Sequence, residues 1–374
     1  MALGLRSLST MLAGVRRTVS TNRSFASSSD EADPTVVASL IDGYRCSKVL
    51  FTAVELKLFD HLTGPALTLD ELAEKLTLPH PSALERFLNA CIALQLIRRD
   101  PANRKYSNTK TSEKYLVSSS PATLNGYIDH NNHSSYHMWN HLPTALRENA
   151  PQWQRTFDTI KKEPFTFDTH YRDDGAEALF MSGMHGFGLV SFPSIIGSID
   201  DMHQYRTFCD LGGATGCLAV SACEANAHLQ AIIFDLPRIE KHARSYLERA
   251  PSAIRDRIRF HGGDFFRDEL PAVDLFGLGR VLHDWNDEQC LALLEKIYRR
   301  LPNQNGALLL AEKLLETEKT GPLSANMQDL NMLLATLGRE RSGEEYRKLL
   351  EKVGFKNVKC YHTGTGLDGI VAYK

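Results

Sequence analysis

The chain has 374 residues, 43% of them hydrophobic and 24% charged, with a formal net charge of -2. That is room for about two domains of ordinary globular composition, and the slightly acidic balance argues against a nucleic-acid partner, which calls for a basic surface. The seven cysteines contain no C-x-x-C pair and read as small buried hydrophobes, while no run approaches about eighteen consecutive apolar residues, so no membrane span is expected.

Residues 1–29 carry Arg6, Arg16, Arg17 and Arg23 and no acid, and on a helix Leu5, Leu8, Leu12 and Val15 share one face. That is the composition of an organelle transit peptide, read as mitochondrial with Arg23-Ser24-Phe25 before Ala26-Ser27 as a candidate processing site, the alternative being a disordered tail. Asp33-Pro34 starts a helix, since proline is favoured at the first helical position, and Val36 to Phe59 reads as two short helices. Thr68, with Glu71 three residues on, forms a capping box for a helix to Leu76. Pro81 to Ile97 reads as another helix, and Ile97 to Thr109 as a hairpin turning at Asp100-Pro101-Ala102-Asn103. Helix, turn, helix and hairpin make a winged helix. A recognition helix needs a polar, basic face, yet Leu84, Phe87, Leu88, Cys91, Ile92 and Leu94 leave Arg86 as its only base. Such a helix is expected to be buried, and residues 30–120 read as a dimerisation domain.

Residues 121–200 read as a helical, aromatic-rich linker and pocket region. His130, His133, His137 and His141 fall at helical spacing. Without interleaved carboxylates or cysteines they read as pocket lining or a solvated face rather than a metal site.

From residue 201 onward strands and helices alternate: 206–211, 229–235, 257–262, 273–280 and 306–312 read as strands, and 356–362 with 368–373 as a closing hairpin. Alternation followed by a hairpin predicts an α/β domain over 201–374, a mostly parallel seven-stranded sheet with one antiparallel strand. The first strand ends in Asp210-Leu211-Gly212-Gly213-Ala214-Thr215-Gly216, and the second in Asp235-Leu236. A glycine turn into a helix, then an acid at the next strand tip, is how a doubly wound sheet holds a nucleoside. The second and last glycines of a G-x-G-x-x-G fingerprint are replaced by Ala214 and Cys217, and no Gly-Lys-Ser/Thr follows. This points to a cofactor without phosphates, S-adenosylmethionine.

Ligands of such sheets sit at the carboxyl ends of the strands. The later ends carry Gly263-Asp264-Phe265, then Arg280-Val-Leu-His283-Asp284-Trp285, then Glu312. Asp264 suits an adenine amino group and Phe265 its ring. His283 falls where the reactive end of the cofactor is expected. Methyl transfer to a phenol needs a base, since a free phenol has a pKa of about 10, and a neutral imidazole suits that role. Glu312 and Glu340 are candidates to brace the ring.

On these residues the chain resembles the plant-type small-molecule O-methyltransferases, a family that includes the animal acetylserotonin (hydroxyindole) enzymes. The likeness runs from about residue 34 and is strongest to the animal members through Val49-Leu-Phe51, Arg280–Trp285, Gly321-Pro-Leu323 and Leu330-Asn-Met-Leu333. The resemblance implies a winged-helix dimerisation domain joined to a Rossmann-like class I methyltransferase sheet, working as a homodimer. It implies His283 as the base, assisted by Glu312 and Glu340. It implies that Asp235, Gly263, Asp264, Phe265 and Arg280 hold the adenosine part of the cofactor, with Tyr171 near it. Asp284, Asn331 and Met332 match substrate-side positions, the acceptor being a hydroxyindole or other small phenol, and no metal is implied. Ala214 stands where the family has a third glycine, Gly188 where animal members can carry a tryptophan, and Ala335 where some carry a polar residue. The competing class is a non-catalytic protein that uses the fold for binding or assembly in mitochondria, which would be expected to have lost the base or its supports.

Overall fold

The computed structural model describes residues 32–158, 171, 173–200 and 202–374. The transit-like segment 1–29 lies outside the described residues. The chain divides into two compact units, the first ending at Ser120 and the second beginning at Pro121.

In the first unit Asp33 caps a single helix, Pro34–Glu55, by accepting from the Thr35 amide. The two short helices expected over Val36–Phe59 are therefore one long helix followed by a brief turn of helix, Leu58–His61. Gly43 sits inside the run without interrupting it, and the break comes only at Lys57, which takes a left-handed backbone at φ 52°. The Thr68–Glu71 capping box forms in both directions at the start of Leu69–Lys75, an arrangement worth about 1 kcal/mol. The next helix, Pro81–Ala93, stops short of Ile97, which belongs instead to β1. Within one chain it buries only Leu84, Leu88 and Cys91, so it is amphipathic rather than buried all round. Strands β1 (Ile97–Arg99) and β2 (Tyr106–Asn108) pair antiparallel, with the turn closed by Asp100 accepting from the Arg104 amide.

The second unit contains the sheet. Its strands are β3 (Thr207–Leu211), β4 (Gln230–Asp235), β5 (Ile258–Gly262), β6 (Leu275–Gly279), β7 (Ala307–Glu312), β10 (Lys356–Tyr361) and β11 (Asp368–Tyr373). The order is β10-β11-β7-β6-β3-β4-β5, all parallel except β11, and each strand begins and ends within two residues of its expected bounds. Both faces of the sheet are covered. Cys209 and Leu211 of β3 pack into one core and Phe208 into the other, the period-two alternation of a strand. A short parallel pair, β8 (Leu314–Leu315) with β9 (Arg341–Ser342), was not foreseen. It ties the segment after β7 to the segment around Glu340.

The helix Asp174–Gly197 has the length and apolarity of a membrane span, which a search for unbroken apolar runs overlooks. Here it is a core helix: Met181, Phe192, Ile195 and Ile196 are buried, and Glu177 is buried on Arg238, Lys241 and His242. The four-histidine face does not survive either. Asn125–His130 is α-helical, but Asn131–Ser135 is a π-helical turn, and the extra residue per turn rotates the chain beyond it. His130 is buried while His133 and His137 are exposed.

Candidate active site

The carboxyl ends of β3 to β6 open into a cavity of about 560 Å³ within the second unit. Its nucleoside end is built from backbone. Gly212 and Gly216 have φ of 70° and 78°, values that favour glycine, and Ala214 accepts a left-handed φ of 49°. At Gly213 a Cβ would lie 2.7 Å from Asp210 Cγ, so glycine is required for the loop to pass that carboxylate. Asp210, buried beneath the loop, accepts from the Ala219 amide at 3.0 Å, and burial pushes its carboxyl up to about 7. Gly216, expected to touch cofactor, does not line the cavity. It starts the helix Cys217–Ala225 at a point where an added Cβ would collide with Ile233, making the turn that presents Gly212 to Thr215.

Asp235 stands opposite. Its two oxygens accept from the amides of Ala214 (2.8 Å) and Leu236 (2.7 Å), which leaves each a lone pair for a hydroxyl. Burial raises it to about 6, opposed by those two amides. Leu236, Gly263, Asp264 and Phe265 line the same wall, and Tyr171 lies there too, buried under the Arg238 guanidinium. Asp264 is oriented by accepting from the Phe266 amide. Gly188 does not line the cavity; a Cβ there would meet the Phe192 ring, which does.

The other end is built from side chains. His283 is 3% exposed and lies on the cavity wall in the short turn after β6. Its Nδ1 is 2.8 Å from Glu340 Oε1 and 3.7 Å from Glu312 Oε2, and its Nε2 is 3.7 Å from Asp284 Oδ1. Glu312 Oε1 accepts from the amides of Leu282 (2.9 Å) and Val281 (3.2 Å), fixing the backbone that carries the ring. Neither Glu312 nor Glu340 lines the cavity; both stand behind the imidazole. Burial lowers His283 below the ordinary histidine value, against the pull of Asp284 and Glu312. Burial likewise raises Asp284 to about 6, Glu312 to about 7 and Glu340 to about 8. The three groups His283, Glu312 and Glu340 are close enough together to hold a cation, and the 2.8 Å Nδ1–Oε1 contact is a hydrogen bond within that cluster.

Arg341, a residue the sequence did not single out, holds this cluster in place. Fully buried, it donates to the carbonyls of Leu282 and Trp285 and to Asp287 Oδ1, clamping the His283 turn to β9. Gly338 packs directly on the His283 carbonyl, a spot no side chain could share.

Arg280 leaves β6 with φ 59° and lays its guanidinium over Phe187, with Nη1 3.1 Å from Met184 Sδ. Asn331, on the helix Leu323–Ala335, accepts from the Trp139 indole at 3.1 Å, and Met332 and Asp284 complete that side. The Ala335 carbonyl accepts from the Trp153 indole. The lining from Met138, Trp153, Phe180 and Met184 was legible only as an aromatic-rich region, because nothing local marks which helix face meets the strand ends.

The geometry is therefore a nucleoside cradle beside a buried, carboxylate-backed imidazole, which suits proton removal from an acceptor held next to an adenosine-bearing cofactor. Comparison with known proteins agrees. The model of the O-methyltransferase domain matches residues 139–356, and that of the O-methyltransferase dimerisation domain residues 38–118. Acetylserotonin O-methyltransferase of Bos taurus is 36% identical over 336 residues, 89% of this chain and 95% of that protein. Human N-acetylserotonin methyltransferase, solved with S-adenosylmethionine, superposes with a TM-score of 0.85 at 32% identity, covering 93% of this chain and 99% of that one. PigF, solved with S-adenosylhomocysteine, superposes with a TM-score of 0.80 at 27% identity over 92% of this chain and all of that one (100%).

Proposed function

Because this chain belongs to the O-methyltransferase family, as an S-adenosylmethionine-dependent enzyme, we propose that it methylates the hydroxyl of a hydroxyindole or other small phenol, with His283 as general base. The observation that carries the reading is the imidazole at the cavity wall with Nδ1 held by Glu340 at 2.8 Å. With the shared proton on Nδ1, the Nε2 lone pair is left for the acceptor. Burial favours the neutral imidazole, the form a base must have.

The step balances simply. The acceptor oxygen attacks the methyl carbon and forms the O–C bond as the C–S bond breaks. The sulfonium leaves as a neutral thioether, and the hydroxyl proton passes to Nε2. The imidazolium so formed has Glu340 on Nδ1 and the otherwise unpaired Glu312 Oε2 at 3.7 Å. Asp235, the Gly212–Gly213 backbone and Asp264 would hold the ribose and adenine, and the side chains of Asn331 and Met332 would face the acceptor. Holding both reactants in line is worth on the order of 7–11 kcal/mol. An N-acetylserotonin-like acceptor, which the likeness to the bovine and human enzymes supports, would give melatonin. The retained imidazole with both carboxylates speaks against a purely binding or assembly role.

Homodimerisation fits the first unit, whose leading helix leaves Val36, Val37, Leu40, Ile41 and Tyr44 exposed, an apolar stripe of the kind that protein–protein contacts cover. Residues 1–29 would direct mitochondrial import; a fluorescent fusion that stays cytosolic with them present would remove that reading. The decisive experiment incubates purified protein with methyl-labelled S-adenosylmethionine and a panel of hydroxyindoles and phenols, followed by mass spectrometry. An O-methylated indole or phenol is expected; label appearing only on nitrogen, sulfur or aliphatic hydroxyls would overturn the acceptor class.

A further inference from the structure

The helix Asn125–His130 ends at the main cavity, where its last residue takes no part in the nucleoside cradle or the His283 cluster. His130 is 9% exposed and meets the Phe180 ring edge-on, with centroids 5.6 Å apart. At Gly183, on the helix Asp174–Gly197, a Cβ would lie 2.8 Å from His130 Cβ, so glycine there lets the imidazole sit this close. The ring makes no hydrogen bond to a described residue, and its Nδ1 is buried without a partner. The π-helical turn Asn131–Ser135 supplies a neighbour. In an unbroken α-helix, residues five apart point about 140° away from each other. Here the Tyr136 amide donates to the Asn131 carbonyl five residues back, and the extra residue returns Ser135 to the side of His130. Ser135 lines the same cavity, and its hydroxyl also has no described partner.

Burying an imidazole with no hydrogen bond costs about 1–3 kcal/mol, which an apolar side chain of similar volume would avoid. Burial, helped by the Arg280 charge, pushes His130 down to about 4, so the ring is neutral. A neutral imidazole has one N–H and one lone pair. Since Nδ1 is sealed against protein, a proton on Nε2 keeps the N–H on the nitrogen that a ligand can reach. The wall thus offers an uncharged donor with a hydroxyl beside it, a pair suited to a carbonyl oxygen and an adjoining N–H.

We propose that His130 Nε2 and the Ser135 hydroxyl bind an amide carried on the acceptor's side chain, the carbonyl accepting from His130 and the N–H donating to Ser135, so that the enzyme selects acylated over alkyl side chains. The inference rests on the acceptor reading above and deepens it, by assigning recognition of the side chain to two residues outside the strand tips that cradle the nucleoside.

The test uses the full chain saturated with S-adenosylhomocysteine and calorimetric titration of N-acetyltryptamine and 3-pentylindole. The two share a ring and a side-chain length and lack a hydroxyl, so binding alone is read. His130→Phe, which keeps a packed ring, should weaken N-acetyltryptamine about tenfold and leave 3-pentylindole nearly unchanged. His130→Gln, whose amide places an N–H near the position of Nε2, should restore most of the loss, and Ser135→Ala should weaken N-acetyltryptamine by a smaller factor. An unmoved N-acetyltryptamine affinity in His130→Phe overturns the proposal. So does an equal loss for both indoles, which marks a packing residue. A loss of S-adenosylhomocysteine affinity in their place overturns it too, since His130 would then serve the cofactor. Binding of neither indole to the wild-type protein overturns the acceptor class itself, whereas binding with an unmoved His130→Phe overturns this assignment alone.

Discussion

The two ends of the cavity are made by different physics. The nucleoside end uses backbone amides and glycine dihedrals contributed by successive strand tips, each a few residues long. The acceptor end uses buried side chains whose partners are far apart in sequence, such as His283 with Glu340, and it concentrates four titratable groups out of water. The first end is assembled as soon as β3, β4 and β5 lie side by side. The second exists only when β8 pairs with β9 and Arg341 is sealed beneath the His283 turn. The lesson is that the binding end is robust and generic, whereas the chemical end is held by a few long-range polar contacts whose loss should be felt sharply.

Four substitutions test that contrast. The largest effect is expected from His283→Ala, which removes the base and should lower turnover on the order of 10²–10⁴-fold while calorimetry shows unchanged cofactor affinity. A variant turning over at the wild-type rate would end the base assignment. Next comes Glu340→Gln. An amide facing Nδ1 can donate to it, favouring the tautomer with its proton on Nε2, so turnover should fall about 10²-fold or more with little change in melting temperature. If only stability falls, Glu340 is a packing residue.

At the opposite end, Asp235→Ala should weaken S-adenosylhomocysteine binding about 10- to 100-fold and leave turnover at saturating cofactor nearly intact. A change in turnover with affinity unaltered would blur the division between the two ends. The smallest effect is assigned to Gly216→Ala, where φ is 78° and the new methyl meets Ile233. Overpacking of that kind costs about 1–3 kcal/mol, read as a lower urea midpoint; a midpoint equal to wild type would show that the turn has slack.

Much of this was legible locally. The strand tips, the Thr68–Glu71 capping box and the glycine turn are short-range patterns, and each formed as read. The misreadings have local causes too. Val36–Phe59 gave no sign that one helix runs unbroken to Glu55, and a π-turn after His130 dissolved a helical face inferred from constant spacing. The helix Asp174–Gly197 falls in the region read as helical, but its span-like apolarity was missed because glycines and serines interrupt the run, and its apolar character on every side marks a core helix.

What the amino-acid order settled alone was the alternation of strands and helices, hence a parallel sheet, and with it the residues that end each strand; hydrophobic period and turn chemistry are properties of a few neighbouring residues. What folding alone decided was which of those residues are desolvated and what stands behind them. Glu312 and Glu340 are candidates to brace the ring from their positions in sequence, but only the fold buries them, lifts their affinity for a proton and sets both against one imidazole. His130 is one of four histidines at helical spacing until the fold dries its ring and keeps it neutral at the cavity wall. Charge in water is screened and nearly independent of its neighbours, whereas charge in a dry cavity is governed by whatever the fold places within a few ångströms.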